Sequence, residues 1–423
     1  MNYDAIVAGA GIWGCTVARR LAEAGKRVLV LEKRSAIGGN CRCEIDEETG
    51  IEVHVYGSHI FHTSDEEVWK FVRRFTDFND YRHCVLARRE VEKTGGGGQW
   101  KTYHLPIGKT LVKEFFGIDL GEKSLKEFLN QTIANSKSSN KTYGEAIFDA
   151  FIKGYTAKQW GMSADKVDPS IIARLKVRDN YSTDYFDDPY QGIPSDGYNK
   201  MFERMLAHEN IELRTGSSLK LELEKGEFVI FDETTKEEIP LSNLQPSTSN
   251  LSIYYSGPID ALFGYKFGAL PWRSLRFEAE KLETADFQGT TVVNYTDYEV
   301  PYTRIHEFKH YHPEKRWREK VEVDSGDKTI IMREYPKTWE KGDEPYYPVD
   351  NESSRALLAK YQAEIEEFNH RNSTFNLQHP TFNLIIGGRL GGFKYYDMDK
   401  SVAAALAVDP DFAPAKKTLS KLQ

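Results

Sequence analysis

Nowhere does the sequence run to the roughly 18 consecutive apolar residues that a membrane-spanning helix needs, so no such helix is expected. Cysteine is nearly as scarce, with Cys15, Cys41, Cys43 and Cys84 in 423 residues. Four thiols do not make a disulfide framework for a chain of this size. Cys41-Arg42-Cys43 also lacks the second pair that a zinc site would require, so the cysteines are read as reduced and non-catalytic, with no metal. Positive charge is short as well: 56 basic side chains face 64 acidic ones, a formal charge of -8. Such a surface draws no polyanion from a distance, which argues against nucleic acid as a partner. Met1-Asn2-Tyr3-Asp4 has neither the basic start nor the apolar core of a secretory leader, and points to a cytoplasmic protein.

What remains is an ordinary globular composition, 40% hydrophobic and 28% charged, with a high aromatic share of 13%. The length exceeds one hydrophobic core, so two or three units are expected, not necessarily contiguous. Ala5 to Ala8 and Arg27 to Leu31 are short apolar runs flanking a helical pattern over Cys15 to Glu23. Residues 64 to 75 read as a helix capped by Ser64, and Tyr81 to Leu105 as a hairpin about Gly95 to Gly98. Helical patterns dominate 107 to 177, including Ser124 to Leu129, Tyr143 to Phe151 and Ser170 to Leu175. A Tyr-, Asp- and Gly-rich stretch from 178 to 195 then reads as a mobile loop. From 266 to 340 apolar and polar residues alternate as in an antiparallel sheet, and a charged helix at Ser353 to Phe368 precedes an apolar strand at Phe382 to Ile386.

Gly9-Ala10-Gly11-Ile12-Trp13-Gly14 follows the first strand and opens the first helix. In that setting Gly9 permits a tight turn, Gly11 admits a pyrophosphate to the backbone, and Gly14 lets helix and strand approach. Glu32, ending the second strand, is placed for ribose hydroxyls. These features fit FAD and NAD alike. A second glycine pair, Gly38-Gly39 before Asn40, is arranged as in flavoproteins of the glutathione-reductase and amine-oxidase type. The late strand ends in Gly387-Gly388-Arg389, which would let the last helix point its N-terminus at a flavin.

Further motifs are more specific. Tyr56-Gly57-Ser58-His59-Ile60-Phe61-His62-Thr63, Lys153-Gly154-Tyr155-Thr156-Ala157-Lys158-Gln159-Trp160-Gly161 and Pro301-Tyr302-Thr303-Arg304 occur in that order. Gly342-Asp343-Glu344-Pro345-Tyr346-Tyr347-Pro348 and Gly387-Gly388-Arg389-Leu390 through Asp397-Met398 follow. Together they resemble the bacterial UDP-galactopyranose mutases over nearly the whole chain. The resemblance implies an α/β fold: a Rossmann-like FAD-binding domain of residues 1–80, 196–265 and 378–423. An inserted helical bundle over 107–177 would carry a substrate-closing loop, and an antiparallel β-sheet domain would comprise 81–106, 178–195 and 266–377.

The implied reaction interconverts the pyranose and furanose forms of a UDP-linked galactose through a covalent adduct of the sugar with reduced FAD, without net redox change. Nucleophilic catalysis of this kind draws its nucleophile from the cofactor. Arg174 and Arg304 are the implied phosphate-holding catalytic residues, and His59, with His62 nearby, lies beside the flavin. Gly9, Gly11, Gly14, Glu32, Gly39, Asn40, Gly257, Arg389, Asp397 and Met398 are expected to hold the cofactor. Tyr155, Trp160, Tyr185, Phe186, Arg273, Asn294, Tyr347 and Tyr395 are expected to line the substrate, with Trp160 and Arg174 closing over it. The family also implies a homodimer. Tyr81-Arg82-His83-Cys84-Val85 departs from the family pattern near the base, which leaves UDP-N-acetylgalactosamine or a dTDP-deoxysugar open as substrate. An FAD oxidoreductase of the amine-oxidase type is the remaining rival.

Overall fold

The computed structural model describes residues 2–92, 98–133, 141–166, 177–222, 227–241, 250–313, 328–373 and 381–409. Five parallel strands form one sheet in the order Ile211–Thr215, Val28–Glu32, Ala5–Ala8, Asn250–Tyr255, Thr381–Ile386. The chain enters at the middle strand and winds outward to both sides. The strand order therefore reverses beside Ala5–Ala8, and the carboxyl ends of the strands there are where open sheets of this kind take a ligand. Ala5–Ala8 and Val28–Glu32 are buried along their length, because helices or hairpins cover both faces. That is why they read as unbroken apolar runs instead of alternating ones.

The helices Ile12–Glu23, Tyr198–Leu206 and Met398–Leu406 cover one face through Val17, Leu21, Met201, Phe202 and Val402. On the other face lie the hairpin Ser217–Glu222 with Glu227–Asp232 and the helix Glu352–Ser373. Tyr361 and Phe368 of that helix pack with Leu29, Leu31 and Leu384. Asn369 fixes it, accepting from the Leu384 N–H at 2.8 Å and donating to its carbonyl at 2.9 Å. Among the described residues no helix is long and apolar enough to cross a membrane.

A second, seven-stranded sheet runs Tyr347–Pro348, Trp272–Leu282, Thr329–Thr338, Arg304–Glu307, Val292–Tyr295, Val85–Glu92, Gly98–Leu105. Its pairs are antiparallel except that of Val292–Tyr295 with Val85–Glu92. The helices Lys109–Phe116, Leu125–Leu129 and Tyr143–Ile147 share a small core with Tyr103 and Phe151, through Leu111, Phe128 and Ile147. A π-helical stretch, Phe148–Lys153, leads from there into the helix Gly154–Trp160. Such wide turns recur at functional sites.

Three expectations are corrected. The helix near residue 66 is capped by Asp65, not Ser64: its carboxylate accepts from the N–H groups of Glu67 and Val68. The helix at Ser353 to Phe368 belongs with the parallel sheet, because its apolar stripe of Leu357, Leu358, Tyr361, Ile365 and Phe368 faces that sheet. The 178 to 195 stretch adds no strand to the seven-stranded sheet. Buried Arg178 donates to the carbonyls of Asp184 and Tyr185, and Tyr190–Gly192 pairs with Phe61–Thr63. Gly95 to Gly97 and Ser170 to Leu175 lie outside the described residues.

Candidate active site

The carboxyl ends of the parallel strands form the first half of the site. Gly9 has φ +108, and a Cβ there would lie 2.2 Å from Ser256 Oγ. At Gly14 a Cβ would lie 1.9 Å from the Gly9 carbonyl oxygen. These two glycines serve the fold. Gly11 does not: a Cβ there would meet only Gly39 Cα, at 3.7 Å. No side chain caps the helix that Gly11 opens, so its first-turn N–H groups and the space beside Gly11 are left for an outside anion. A dinucleotide pyrophosphate fits that cradle.

The Gly38-Gly39 turn folds back onto the fingerprint, with the Gly38 N–H donating to the Ala10 carbonyl at 2.8 Å. Glu32 accepts from the N–H groups of Ala10 and Arg34 at 2.8 and 2.9 Å. A carboxylate offers about four acceptor positions, which leaves capacity for ribose hydroxyls. Asn40 accepts from Arg34 at 3.0 Å, and Arg34 also pairs with Glu344 at 2.9 Å. On the far side a Cβ on Gly387 would enter the Trp13 ring, and one on Gly391 would meet the Gly257 carbonyl at 3.3 Å. Arg389 binds the Tyr396 carbonyl through two nitrogens. Asp397 heads the last helix, and Met398 Sδ lies 3.5 Å from Cys41 Sγ, closing the ring.

His59 projects beside this edge. Its Nδ1 lies 2.7 Å from the Gly57 carbonyl, which only accepts, so Nδ1 carries the proton and Nε2 presents a lone pair. Burial, together with nearby Arg389 and His306, pulls its pKa down to about 4, so the ring is neutral near pH 7. The His59 N–H in turn donates to His54 Nδ1 at 3.1 Å. His54 sits in a buried cluster with Cys43, Glu52 and His312, where His312 Nε2 is 3.2 Å from Glu52.

Arg304 centres the second half. It bonds the Tyr155 hydroxyl and stands 3.4 Å from buried Glu334. Glu334 also accepts from Thr303 at 3.1 Å and lies 3.2 Å from His306, whose other nitrogen bonds Ser58. Burial opposes the Glu334 charge, yet Arg304, His306 and Thr303 hold its carboxyl below the usual range. Asn294 stands directly opposite Arg304 in the sheet, and its buried Oδ1 has no partner among the described residues. Tyr347 stacks on Tyr395 at 5.3 Å, with the Arg389 guanidinium 5.8 and 5.6 Å from the two rings. Tyr347 also interacts electrostatically with Arg304 and Glu334, so these tyrosines link the Arg304 cluster to the cofactor edge.

Other expected residues are placed differently. Arg273 is 5% exposed and donates to the Gln159 carbonyl at 2.9 Å and to Thr338 at 2.8 Å. It closes the end of the helix Gly154–Trp160, where a cation at the C-terminus is favoured. Trp160 is buried at that same helix end. Phe186 is covered by two imidazoles, His62 at 3.6 Å and His83 at 5.4 Å, and Tyr185 meets His83 edge-on. The faces of Phe186 are thus engaged by protein. Arg174 lies outside the described residues. All four cysteine thiols are pushed up by burial, which disfavours their thiolate form.

Residues 150–395 match the family model described as UDP-galactopyranose mutase, more than half of the chain, and residues 7–75 match that of an NAD(P)-binding Rossmann-like domain. The chain belongs to the UDP-galactopyranose mutase family. Within it, a dTDP-fucopyranose mutase of Escherichia coli is 34% identical, over 95% of this chain and 96% of its own. A probable UDP-galactopyranose mutase of Klebsiella pneumoniae is 33% identical, over 97% and 95%. A crystal structure of reduced UDP-galactopyranose mutase has the same fold, with a TM-score of 0.61 at 16% identity, covering 96% of this chain and 93% of that one. Mutases are isomerases, and the chain is an enzyme of that class. As a mutase-family fold with a dinucleotide cradle, it takes a flavin cofactor.

Sequence reasoning missed Glu334, His306, Ser58, Glu52 and His54. One signal was available: Glu334 falls in phase with Ile330 and Met332 on the buried side of its strand, where an acidic residue requires a partner.

Proposed function

We propose that the protein interconverts UDP-galactopyranose and UDP-galactofuranose, using FAD in its reduced form. The observation that carries this reading is Arg304, presented between Tyr155 and Glu334 and joined through Tyr347 and Tyr395 to the edge that suits a dinucleotide. When bound, reduced flavin supplies the nucleophile for the anomeric carbon.

The chain's own residues do the rest. Gly11, Gly39 and the first turn of the fingerprint helix would hold the pyrophosphate, and Glu32 the ribose. Neutral His59 would accept a hydrogen bond through Nε2 beside the cofactor. Arg304 would bind the departing diphosphate, which its planar fork suits. Glu334 keeps that guanidinium from swinging away, and Tyr155 orients it. Tyr347, Tyr395 and Asn294 would line the same pocket, and Trp160 and Arg174 would keep water from it.

Arg304→Ala tests this directly. Retained flavin with loss of turnover supports the reading; wild-type turnover in the variant overturns it. A second reading, action on a dTDP-deoxysugar, is favoured by the 34% identity to the dTDP-fucopyranose mutase. A panel of UDP- and dTDP-sugars with reduced enzyme separates the two. We further propose a homodimer in the cytoplasm, which sedimentation and cell fractionation test.

A further inference from the structure

The helix Gly154–Trp160 works on two faces. Tyr155 reaches Arg304, while Gly154 and Lys158, four residues apart, lie together on another side. Gly154 sits flush on the connection between Val292–Tyr295 and Arg304–Glu307: a Cβ there would be 2.4 Å from the Thr296 carbonyl oxygen and 3.1 Å from the Tyr298 nitrogen. Lys158 Nζ donates to the carbonyls of Tyr295, Val300 and Tyr302 at 2.8, 3.0 and 2.9 Å. An ammonium has three protons, and all three are spent on the loop that delivers Thr303 and Arg304.

We propose that Lys158 is a positioning residue that clamps the 295–302 loop to this helix and so sets where the Arg304 guanidinium meets Tyr155 and the leaving diphosphate. The inference rests on the function proposed above. Burial pulls the Lys158 pKa down to about 8, against the opposing pull of Asp297 and Glu299. Other charged groups surround the clamp: Arg89 stands 4.0 Å from Asp297, Arg88 donates to the Tyr295 hydroxyl, and Arg273 lies on the Lys158 carbonyl. Lys153 precedes it on the helical run, and Arg333 acts on Tyr302.

A neutral amine keeps two N–H donors and turns a lone pair toward a carbonyl, so the clamp loosens as the pH rises through about 8. The contribution of this one group to global stability runs in the opposite sense. Between that value and the ordinary lysine range the unfolded chain binds more protons than the folded one, so this group makes stability rise with pH. Clamp release and unfolding are therefore distinguishable.

The test uses the holoprotein with Lys158→Met and, separately, Gly154→Ala. Hydrogen-exchange protection of residues 296–303, UDP affinity by calorimetry, flavin absorbance and Tm are measured at about pH 7 and about pH 9. Wild type is expected to lose protection and UDP affinity at the higher pH without a fall in Tm. Lys158→Met should show low protection and about tenfold weaker UDP binding at both pH values, with flavin retained. Gly154→Ala should reproduce the loss at the lower pH with the ammonium intact. Wild-type protection and affinity in both variants would overturn the clamp, as would losses that merely follow Tm while the pH response persists. Failure of wild type to bind UDP would instead overturn the proposed function, and the protection factors would still decide the clamp.

Discussion

A guanidinium that meets a departing diphosphate has to be aimed before the substrate arrives, and Arg304 is aimed by Glu334 and Tyr155. Removing Arg304 is expected to lower kcat/KM by at least about a hundredfold, the scale of losing one transition-state donor. Steady-state kinetics on flavin-loaded Arg304→Ala checks this. Arg304→Lys should restore little, since an ammonium has no fork. Glu334→Gln keeps the shape but strips the counter-charge from Arg304; a Tm loss corresponding to about 1–3 kcal/mol is expected in thermal denaturation, together with lower kcat. Arg304 and Tyr155 were legible because they sit in motifs read in order along the chain. Glu334 was not, because its role depends on a strand register that brings it beside Arg304, and register is a tertiary fact.

Among the elements, the fingerprint turn separates cofactor binding from folding. Gly11→Ala should fold and bind flavin weakly, because its Cβ meets little but the cofactor cradle. Gly14→Ala should fail to fold or lose most of its stability, its Cβ colliding with the Gly9 carbonyl. Flavin titration and circular dichroism distinguish the two.

The hairpin of Cys43–Ile45 with Glu52–His54 carries an acid sensitivity. Burial opposes the Glu52 charge, but His312, His54 and Cys43 bring its pKa down to about 2, while burial brings His54 down to about 3. Both folded values lie below their unfolded ones. Their stabilisation is therefore complete near neutral pH, and is lost as pH falls from about 6.5 for His54 and about 4.5 for Glu52. Glu52→Gln should flatten the acid limb of a stability profile measured by denaturant titration. The sequence revealed the parallel strands and the fingerprint helix through their apolar runs. It misassigned the helix Glu352–Ser373, whose apolar stripe is narrow against many charges, although the stripe fixes the sheet it covers.

At the scale of the molecule, the parallel sheet supplies the cofactor edge, the seven-stranded sheet supplies Arg304, and the helical unit supplies Tyr155. Family membership was legible because the motifs span all three. The arrangement of 178–195 was not, since Arg178 organises that loop through backbone carbonyls that leave no sequence trace. The central claim is a ring isomerisation that leaves redox state unchanged. Incubating dithionite-reduced holoprotein with UDP-galactofuranose and resolving the products by anion-exchange chromatography tests it most directly. The account predicts UDP-galactopyranose with the flavin still reduced at the end; no UDP-galactopyranose, or a product formed only with net oxidation of the sugar, would contradict it.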